Sequence, residues 1–122
     1  MSETNLCVDS DKRLVDGDKV YNTPVELTLE VIGGKWKSVL VYHLLQGPLR
    51  FSELKRLVPD ITEKMLTQQL RDLERVGVLT RTVFPEVPPR VEYRATAHGQ
   101  TLQPVLEAMC AWGRSHWQQQ GE

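Results

Sequence analysis

Apolar residues recur along this chain with two different periods, and the change falls after Gly77. Up to that point they repeat at three- and four-residue spacing, which is typical of helices that bury one face. A first helix is predicted from the capping box at residues 23–26 (TPVE) to about Ile32. A second, over about 35–46, carries apolar residues on almost every side and is predicted to be the central, buried helix.

Two further helices are predicted before the period changes. A short one covers about Ser52–Leu57, and a longer one runs from the N-cap Thr62 to Val76. Steps of 100° per residue place Leu66, Leu70 and Leu73 on one narrow stripe of the longer helix. The opposite side, flanked by Thr67, carries four polar side chains: Lys64, Gln68, Arg71 and Arg75. One face is therefore predicted to join the core, and the other to offer hydrogen-bond donors.

From Val78 onward the period is two, which predicts paired strands at 78–84 and 90–96. The turn between them contains Pro88-Pro89, which stiffens the tip and removes backbone donors that another strand would need. A last helix is predicted near Ala97, capped by Thr96, and Pro104 is expected to kink or restart it. Residues 1–20 show no apolar period and are expected to form a flexible arm before one domain at 21–120.

The net charge of −1 conceals an uneven distribution. Residues 35–94 hold eleven Lys/Arg and seven Asp/Glu, whereas residues 1–34 hold three and seven. The middle of the chain is therefore the part suited to a polyanion, although such an excess also occurs on ordinary solvated surfaces. The longest unbroken apolar stretch, at 39–42, is too short to span a bilayer, and the N-terminus lacks a signal-peptide core. We therefore expect a cytoplasmic protein without a membrane partner.

The order of these elements indicates a function for the helix predicted at 62–76. A short helix, a longer helix with a donor-rich face and a hairpin form, in that order, a helix-turn-helix with a wing. The fold class predicted is α+β, mostly helical, with double-stranded DNA as the partner. The polar face alone is more often just solvated, so the prediction depends on the hairpin that follows.

Ten side chains are predicted to contact DNA. Those on the fourth helix that approach bases or phosphates are Thr62, Lys64, Thr67, Gln68, Arg71 and Arg75. Arg90, next to the proline turn, is expected to be free to reach phosphates or the minor groove. Lys37, Arg50 and Lys55 are expected to touch the DNA backbone, where a contact fixes position without reading sequence.

Several separate motifs resemble one known family. They are IGGKW, RFSELKR, EKMLTQQLRDLE, VPPRVEY and the T-x-x-G of Thr96–Gly99, within residues 23–117. In this order they resemble the HxlR-type winged-helix transcriptional regulators, which are related to the MarR group. The resemblance implies a homodimer on palindromic DNA, with dimer contacts from the N- and C-terminal helices. Repression is the usual expectation for the family.

The last helix independently suits a dimer, because large apolar residues lie close to its end. The residues expected at the interface are Leu102, Leu106, Met109, Trp112 and Trp117. The alternative is that they pack on their own domain. A two-fold dimer would hold two recognition helices about 34 Å apart, one turn of DNA.

The resemblance also implies a signal, which this sequence alters. Many members of the family sense oxidants or electrophiles through a cysteine directly before the proline that opens the first helix. Here that position is Thr23, which cannot be oxidised in this way. Cys7 is a substitute candidate for redox sensing, whereas Cys110 is expected to be a small buried hydrophobe. A small-molecule effector remains open, with His43 and His116 as pocket candidates or packed core histidines.

Two other classes of function fit the sequence less well. An enzyme is disfavoured because the histidines and cysteines lack metal-ligand spacing and no P-loop or GxSxG motif occurs. No catalytic residue, metal or cofactor is predicted. The remaining alternative is a winged helix used for protein contact or for non-specific DNA binding.

Overall fold

The computed structural model describes residues 14–121. In that range the chain forms, in order, β1 Leu14–Asp16, β2 Lys19–Tyr21, α1 Pro24–Ile32, α2 Lys37–Leu44, β3 Leu49–Arg50, α3 Phe51–Leu57, α4 Glu63–Arg75, β4 Leu79–Phe84, β5 Arg90–Ala95, α5 Ala97–Gln100 and α6 Gln103–Gln120. The predicted helices and the strand pair at 78–96 are confirmed, most of them within two residues of their predicted ends.

The core is built by α2, α3 and α4, and the sheet covers one side of it. Strands pair antiparallel in the order β3-β5-β4, with Leu79 opposite Ala95 and Phe84 opposite Arg90. β3 pairs with β5 through Leu49 opposite Tyr93. The largest fully buried side chains are Leu40, Val41, Leu44, Leu54, Ile61, Leu66, Leu70, Leu73 and Val78. The stripe predicted for the fourth helix is therefore the one that α4 buries.

Part of the flexible arm predicted at residues 1–20 is a hairpin instead. β1 and β2 form an antiparallel hairpin, so residues 14–20 are not a structureless arm. Its anchor is Glu30 on α1, whose Oε1 accepts from the Lys19 Nζ at 2.7 Å and the Tyr21 hydroxyl at 2.6 Å. These two hydrogen bonds lower the pKa of Glu30 below its ordinary value. Residues 1–13, and with them Cys7, lie outside the described residues, and the domain boundary stays a prediction.

Two expectations about the first helices need correction. Thr23 makes no side-chain cap on α1; instead the Glu26 carboxylate accepts from the Asn22 backbone N–H at 3.2 Å. α2 is shorter than predicted and is not buried all round, because Val39 and Tyr42 are each 39% exposed. The exposed side of α2 faces α6 across a groove, since its buried side already packs on α4.

A rigid joint connects the end of α4 to the start of α5. The Thr96 backbone N–H donates to the Val78 carbonyl at 3.0 Å, and the Thr96 hydroxyl donates to the Gly77 carbonyl at 2.6 Å. The same hydroxyl oxygen accepts from the Gly99 N–H at 2.9 Å, which caps α5 as predicted. A Cβ on Gly99 would lie 2.2 Å from the Val78 carbonyl oxygen, so only glycine fits there. Pro104 then restarts the chain as α6, one of the two outcomes expected.

Candidate nucleic-acid interface

The interface is built on α4, whose two ends are fixed by local hydrogen bonds. The Thr62 hydroxyl oxygen accepts from the Met65 N–H at 3.1 Å, so the predicted N-cap is confirmed. At the other end Gly77 takes φ +82°, and the Gly77 and Val78 N–H groups donate back to the Glu74 and Leu73 carbonyls. This left-handed ending is the Schellman arrangement, which favours glycine. Both ends of α4 are thus held by hydrogen bonds rather than frayed.

One side of α4 is exposed and basic, and we call it the recognition face. Its members are Lys64, Gln68, Arg71 and Arg75, all of them exposed and opposite the buried leucines. Within residues 14–121, Lys64 and Arg71 make no hydrogen bond or ion pair with another side chain. Their charges are therefore available to an external anion.

Lys55, on α3, contacts the connection that leads from α3 to α4. Its Nζ donates to the Pro59 carbonyl at 2.9 Å, within the connection between α3 and α4. Lys55 thus has a partner inside the protein, although we predicted it as a DNA-backbone contact. Arg50 lies exposed just before α3, where its backbone N–H donates to Glu53 at 2.8 Å. The arrangement leaves the Arg50 guanidinium at the surface.

One carboxylate in this region was missed by our sequence reasoning. Asp72 accepts from the Gln68 Nε2 and from the Arg75 Nη1, each at 3.0 Å. The Lys37 Nζ of α2 lies 3.6 Å from its other oxygen. Partial burial raises the pKa of Asp72, but the hydrogen bonds from Arg75 and Gln68 outweigh it and leave the pKa below its ordinary value. The spacing of Gln68, Asp72 and Arg75 at i, i+4 and i+7 could have revealed this group.

The wing is the β4–β5 hairpin with its tip at residues 85–89, where Val87, Pro88 and Pro89 are all exposed. Arg90 does not extend freely from it, contrary to our expectation. Its guanidinium lies 3.4 Å from Glu86 and 3.6 Å from Glu92, and it stacks 4.1 Å above the Phe84 ring centre. Arg90 therefore stabilises the wing where the strands meet the turn, and two carboxylates offset its charge.

A cleft of about 360 Å³ separates the recognition face from the wing. It is lined by Thr67, Arg71, Glu74, Arg81 and Tyr93. Arg81 lies exposed on β4, opposite Tyr93 in the strand register. We did not predict Arg81, although the period of two in this strand places its side chain alternately with Thr80 and Thr82. Two arginines from different elements thus border one cleft beside α4.

The five residues predicted for a dimer interface divide into two groups. Leu106 is buried at 5% and Leu102 is half-buried, so these two pack on their own domain. Met109, Trp112 and Trp117 are 49%, 68% and 76% exposed. His116 stacks on Trp112 with ring centres 4.7 Å apart, at the surface rather than in a pocket. The end of α6 therefore presents an apolar, aromatic surface to solvent.

A groove lies between α2 and α6, and its lining is mainly apolar only around Val39 and Met109. Its widest part, about 430 Å³, is lined by residues that include Tyr42, Leu45 and Arg114. It continues past Val39 and Met109. Cys110 lines both parts and is half-exposed, so the expectation that it is buried was wrong. His43 is half-buried and meets Tyr42 edge to face, outside the groove lining.

Within residues 14–121, no three His, Cys, Asp or Glu side chains come together in a way that would hold a metal ion. None of the helices in the same range has the length and apolar content that a membrane crossing needs.

The capped α4, its basic exposed face and the adjoining wing agree with a match between this sequence and a family model. The model for the HxlR-like helix-turn-helix matches residues 31–121, about three quarters of the chain. This chain belongs to the HxlR-like helix-turn-helix family. Members of the family are DNA-binding transcriptional regulators rather than enzymes. The predictions of a DNA-binding regulator and of a protein without enzyme activity are therefore confirmed.

Individual relatives agree with the family. The HTH-type transcriptional regulator YtcD of Bacillus subtilis is 58% identical over 98 residues, which cover 80% of this chain and 78% of that protein. The redox regulator HypR in its oxidized form superposes with a TM-score of 0.73 at 53% identity, covering 75% of this chain and 95% of that one. The quinone-bound YodB from B. subtilis superposes at 0.64 and 30% identity, covering 75% and 97%. These likenesses confirm the winged-helix α+β fold.

Proposed function

We propose that this HxlR-family regulator acts as a homodimeric repressor, with each α4 placed in the major groove of one half of an inverted-repeat operator. The observation that carries the proposal is the recognition face itself. Lys64 and Arg71 are exposed opposite a fully buried leucine stripe, on a helix fixed at both ends. A face of this kind brings hydrogen-bond donors to base edges while the backbone of the helix stays in place.

Phosphate contacts in this proposal come from around α4 rather than from the wing tip. Arg81 and Arg71 border the cleft between α4 and the wing, and Arg50 is exposed beside α3. Lys37 is half-buried against Asp72, so its contribution to phosphate binding requires exchange of that partner. Such contacts fix the register on the duplex, whereas the base contacts of α4 select the sequence.

Exposed apolar residues on α1 and α6 support the dimer. Besides the aromatic end of α6, α1 exposes Val25 at 55% and Leu29 at 60%. Exposed apolar residues on these two helices suit an interface between copies, because their burial removes apolar surface from water. A two-fold axis between such helices would set the two α4 helices about 34 Å apart, the repeat of one DNA turn.

The dimer is tested by sedimentation equilibrium of the full chain and its variants. We expect Trp112→Ala and Trp117→Ala to weaken self-association by at least tenfold, since buried aromatic anchors carry much of an interface's energy. Val83→Ala is the matched control, because Val83 is 50% exposed but lies on the wing. A wild-type chain that stays monomeric at micromolar concentration would remove the dimer from the proposal.

The signal proposed is a small molecule, of either redox or electrophilic character. HypR is a redox regulator and YodB has been crystallised with a quinone, which supports this choice. In this chain the groove between α2 and α6, with Cys110, is a receptive site, and Cys7 remains a predicted second thiol. Exposure to benzoquinone, followed by peptide mass mapping of wild type, Cys7→Ser and Cys110→Ser, would identify the thiol that reacts. Unchanged DNA binding in the modified protein would refute the signal.

DNA binding is tested by selecting genomic fragments with the purified protein at near-physiological salt. Enrichment of one inverted repeat upstream of a gene is the expected result. Lys64→Ala should weaken binding to that repeat. Repression is then read from a reporter carrying the repeat. A bound pool that matches the input, with binding lost at modest salt, would favour the non-specific alternative.

A further inference from the structure

Asp72 places a negative charge beside the surface that is proposed to meet DNA, which is itself a polyanion. Its side chain is 23% exposed and lies on the flank of the recognition face, one turn after Gln68. A carboxylate there repels phosphate, so its presence costs affinity for every DNA sequence. A neutral residue at this position would give a higher non-specific affinity for DNA. A role in sequence discrimination therefore explains the carboxylate better.

The contacts of Asp72 join three side chains that we predicted to touch DNA. Gln68 donates to it from the preceding turn of α4, Arg75 from the following turn, and Lys37 approaches from α2. One carboxylate thus restricts donors from two helices. Because ordering a long side chain before binding lowers the entropy cost of the complex, this restriction favours a defined readout.

Hydrogen-bond chemistry then decides which way round the Gln68 amide lies. An ionised carboxylate only accepts hydrogen bonds, so the amide must present its NH₂ group and not its oxygen to Asp72. One N–H of Gln68 is used in this bond. Its oxygen and second N–H stay available, and a donor–acceptor pair from one amide matches the N7 acceptor and N6–H₂ donor of adenine.

We propose that Asp72 is a positioning residue that fixes the Gln68 amide so that it selects an A·T base pair in each half-site. The proposal rests on the DNA-binding function proposed above. Asp72 acts through Gln68 and does not touch the base itself. The negative charge that Asp72 places near the DNA is the cost of this selectivity.

The test compares Asp72→Asn with Asp72→Glu in a quantitative binding selection on the operator and its single-base-pair variants. Asn is the same size but can donate as well as accept, so the Gln68 amide is free to turn over. We expect Asp72→Asn to lower the preference at the A·T pair about tenfold and to leave the other positions unchanged. Asp72→Glu keeps an acceptor-only group and should retain most of the preference. Asp72→Asn should also bind unrelated DNA more tightly than wild type, because the repelling charge is gone, whereas Asp72→Glu should not.

A double-mutant comparison tests whether Asp72 acts on the base pair through Gln68. Gln68→Ala should lose the same preference, and adding Asp72→Asn to it should cause no further loss at that base pair. Full retention of the A·T preference in Asp72→Asn, or an equal loss at every position, would overturn the positioning role. A wild-type protein that enriches an inverted repeat while Asp72→Asn leaves it unaltered rejects this inference alone. A wild type with no sequence preference rejects the proposed function as well.

Discussion

Replacing Gly99 by alanine tests how tightly α5 is held against the end of α4. The new methyl group would lie 2.2 Å from the Val78 carbonyl oxygen and 3.1 Å from its carbon, both backbone atoms. The contact can be relieved only by moving α5 away from β4, because neither group is a flexible side chain. That movement stretches the 3.0 Å bond from the Thr96 N–H to Val78.

The magnitude follows from three contributions to the free energy of unfolding. Overpacking of this kind costs about 1–3 kcal/mol, and we take the upper half because the contact is far too short. One weakened hydrogen bond adds about 1 kcal/mol, and the better helix propensity of alanine returns about 1 kcal/mol. The net loss is about 2–3 kcal/mol, or a fall in Tm of roughly 8–12 °C for a domain of this size.

Thermal and urea unfolding, followed by circular dichroism, measure this loss. Gly113→Ala is the matched control: Gly113 lies within α6, and a Cβ there meets nothing within 4 Å. That variant should gain up to about 1 kcal/mol. Several protein concentrations are needed, since a dimer contact at Gly113 would make its effect depend on concentration. Equal Tm values for Gly99→Ala and wild type would refute the packing argument.

Three more outcomes are expected. Thr62→Ala should lower the free energy of unfolding by about 1 kcal/mol through loss of the α4 cap, whereas Thr62→Ser should not; equal losses in both would contradict the cap. Because the pKa of Asp72 is lowered in the folded state, the stability it provides is complete above the unfolded-state pKa and disappears as pH falls through the folded one. Acid titration should therefore show the gap between wild type and Asp72→Asn closing below about pH 4, and a constant gap would oppose this. Lys64→Ala should flatten the log–log salt dependence of DNA binding by about one unit. Arg90→Ala should flatten it by less, because Glu86 and Glu92 already offset Arg90, and equal slopes would disprove that compensation.

Long periodic segments were predictable from the sequence because the spacing of their apolar residues shows which face is buried. α4 shows this, since its leucine stripe, Thr62 cap and terminal Gly77 all indicate the same helix. β3 was missed because a two-residue strand has no period and exists only through pairing with β5. The β1–β2 hairpin was missed for a similar reason, as its contacts with Glu30 are made at distant positions in sequence.

The candidate site was predictable in position but not in the partners of its side chains. The helical face of Gln68 and Arg71 follows from steps of 100°, and both are exposed as expected. Whether a predicted charge in the site is free depends on neighbours that the fold supplies. Arg90 illustrates this, because the turn brings Glu86 to it, and Glu92 lies two residues along the same strand. The period of the apolar residues identifies the exposed face of an element, whereas the partner of a side chain depends on the three-dimensional fold.

The joint between Gly77, Val78, Thr96 and Gly99 has a consequence for the operator. It ties the end of α4 to α5, and the Leu102 and Leu106 N–H groups continue the connection into α6. In a dimer formed through α6, the distance and angle between the two α4 helices would then be nearly invariant. One base pair inserted between half-sites adds about 3.4 Å and about a tenth of a turn. A rigid pair of readers cannot follow that change, so we expect the spacer length of its operators to be conserved even where the spacer sequence is not.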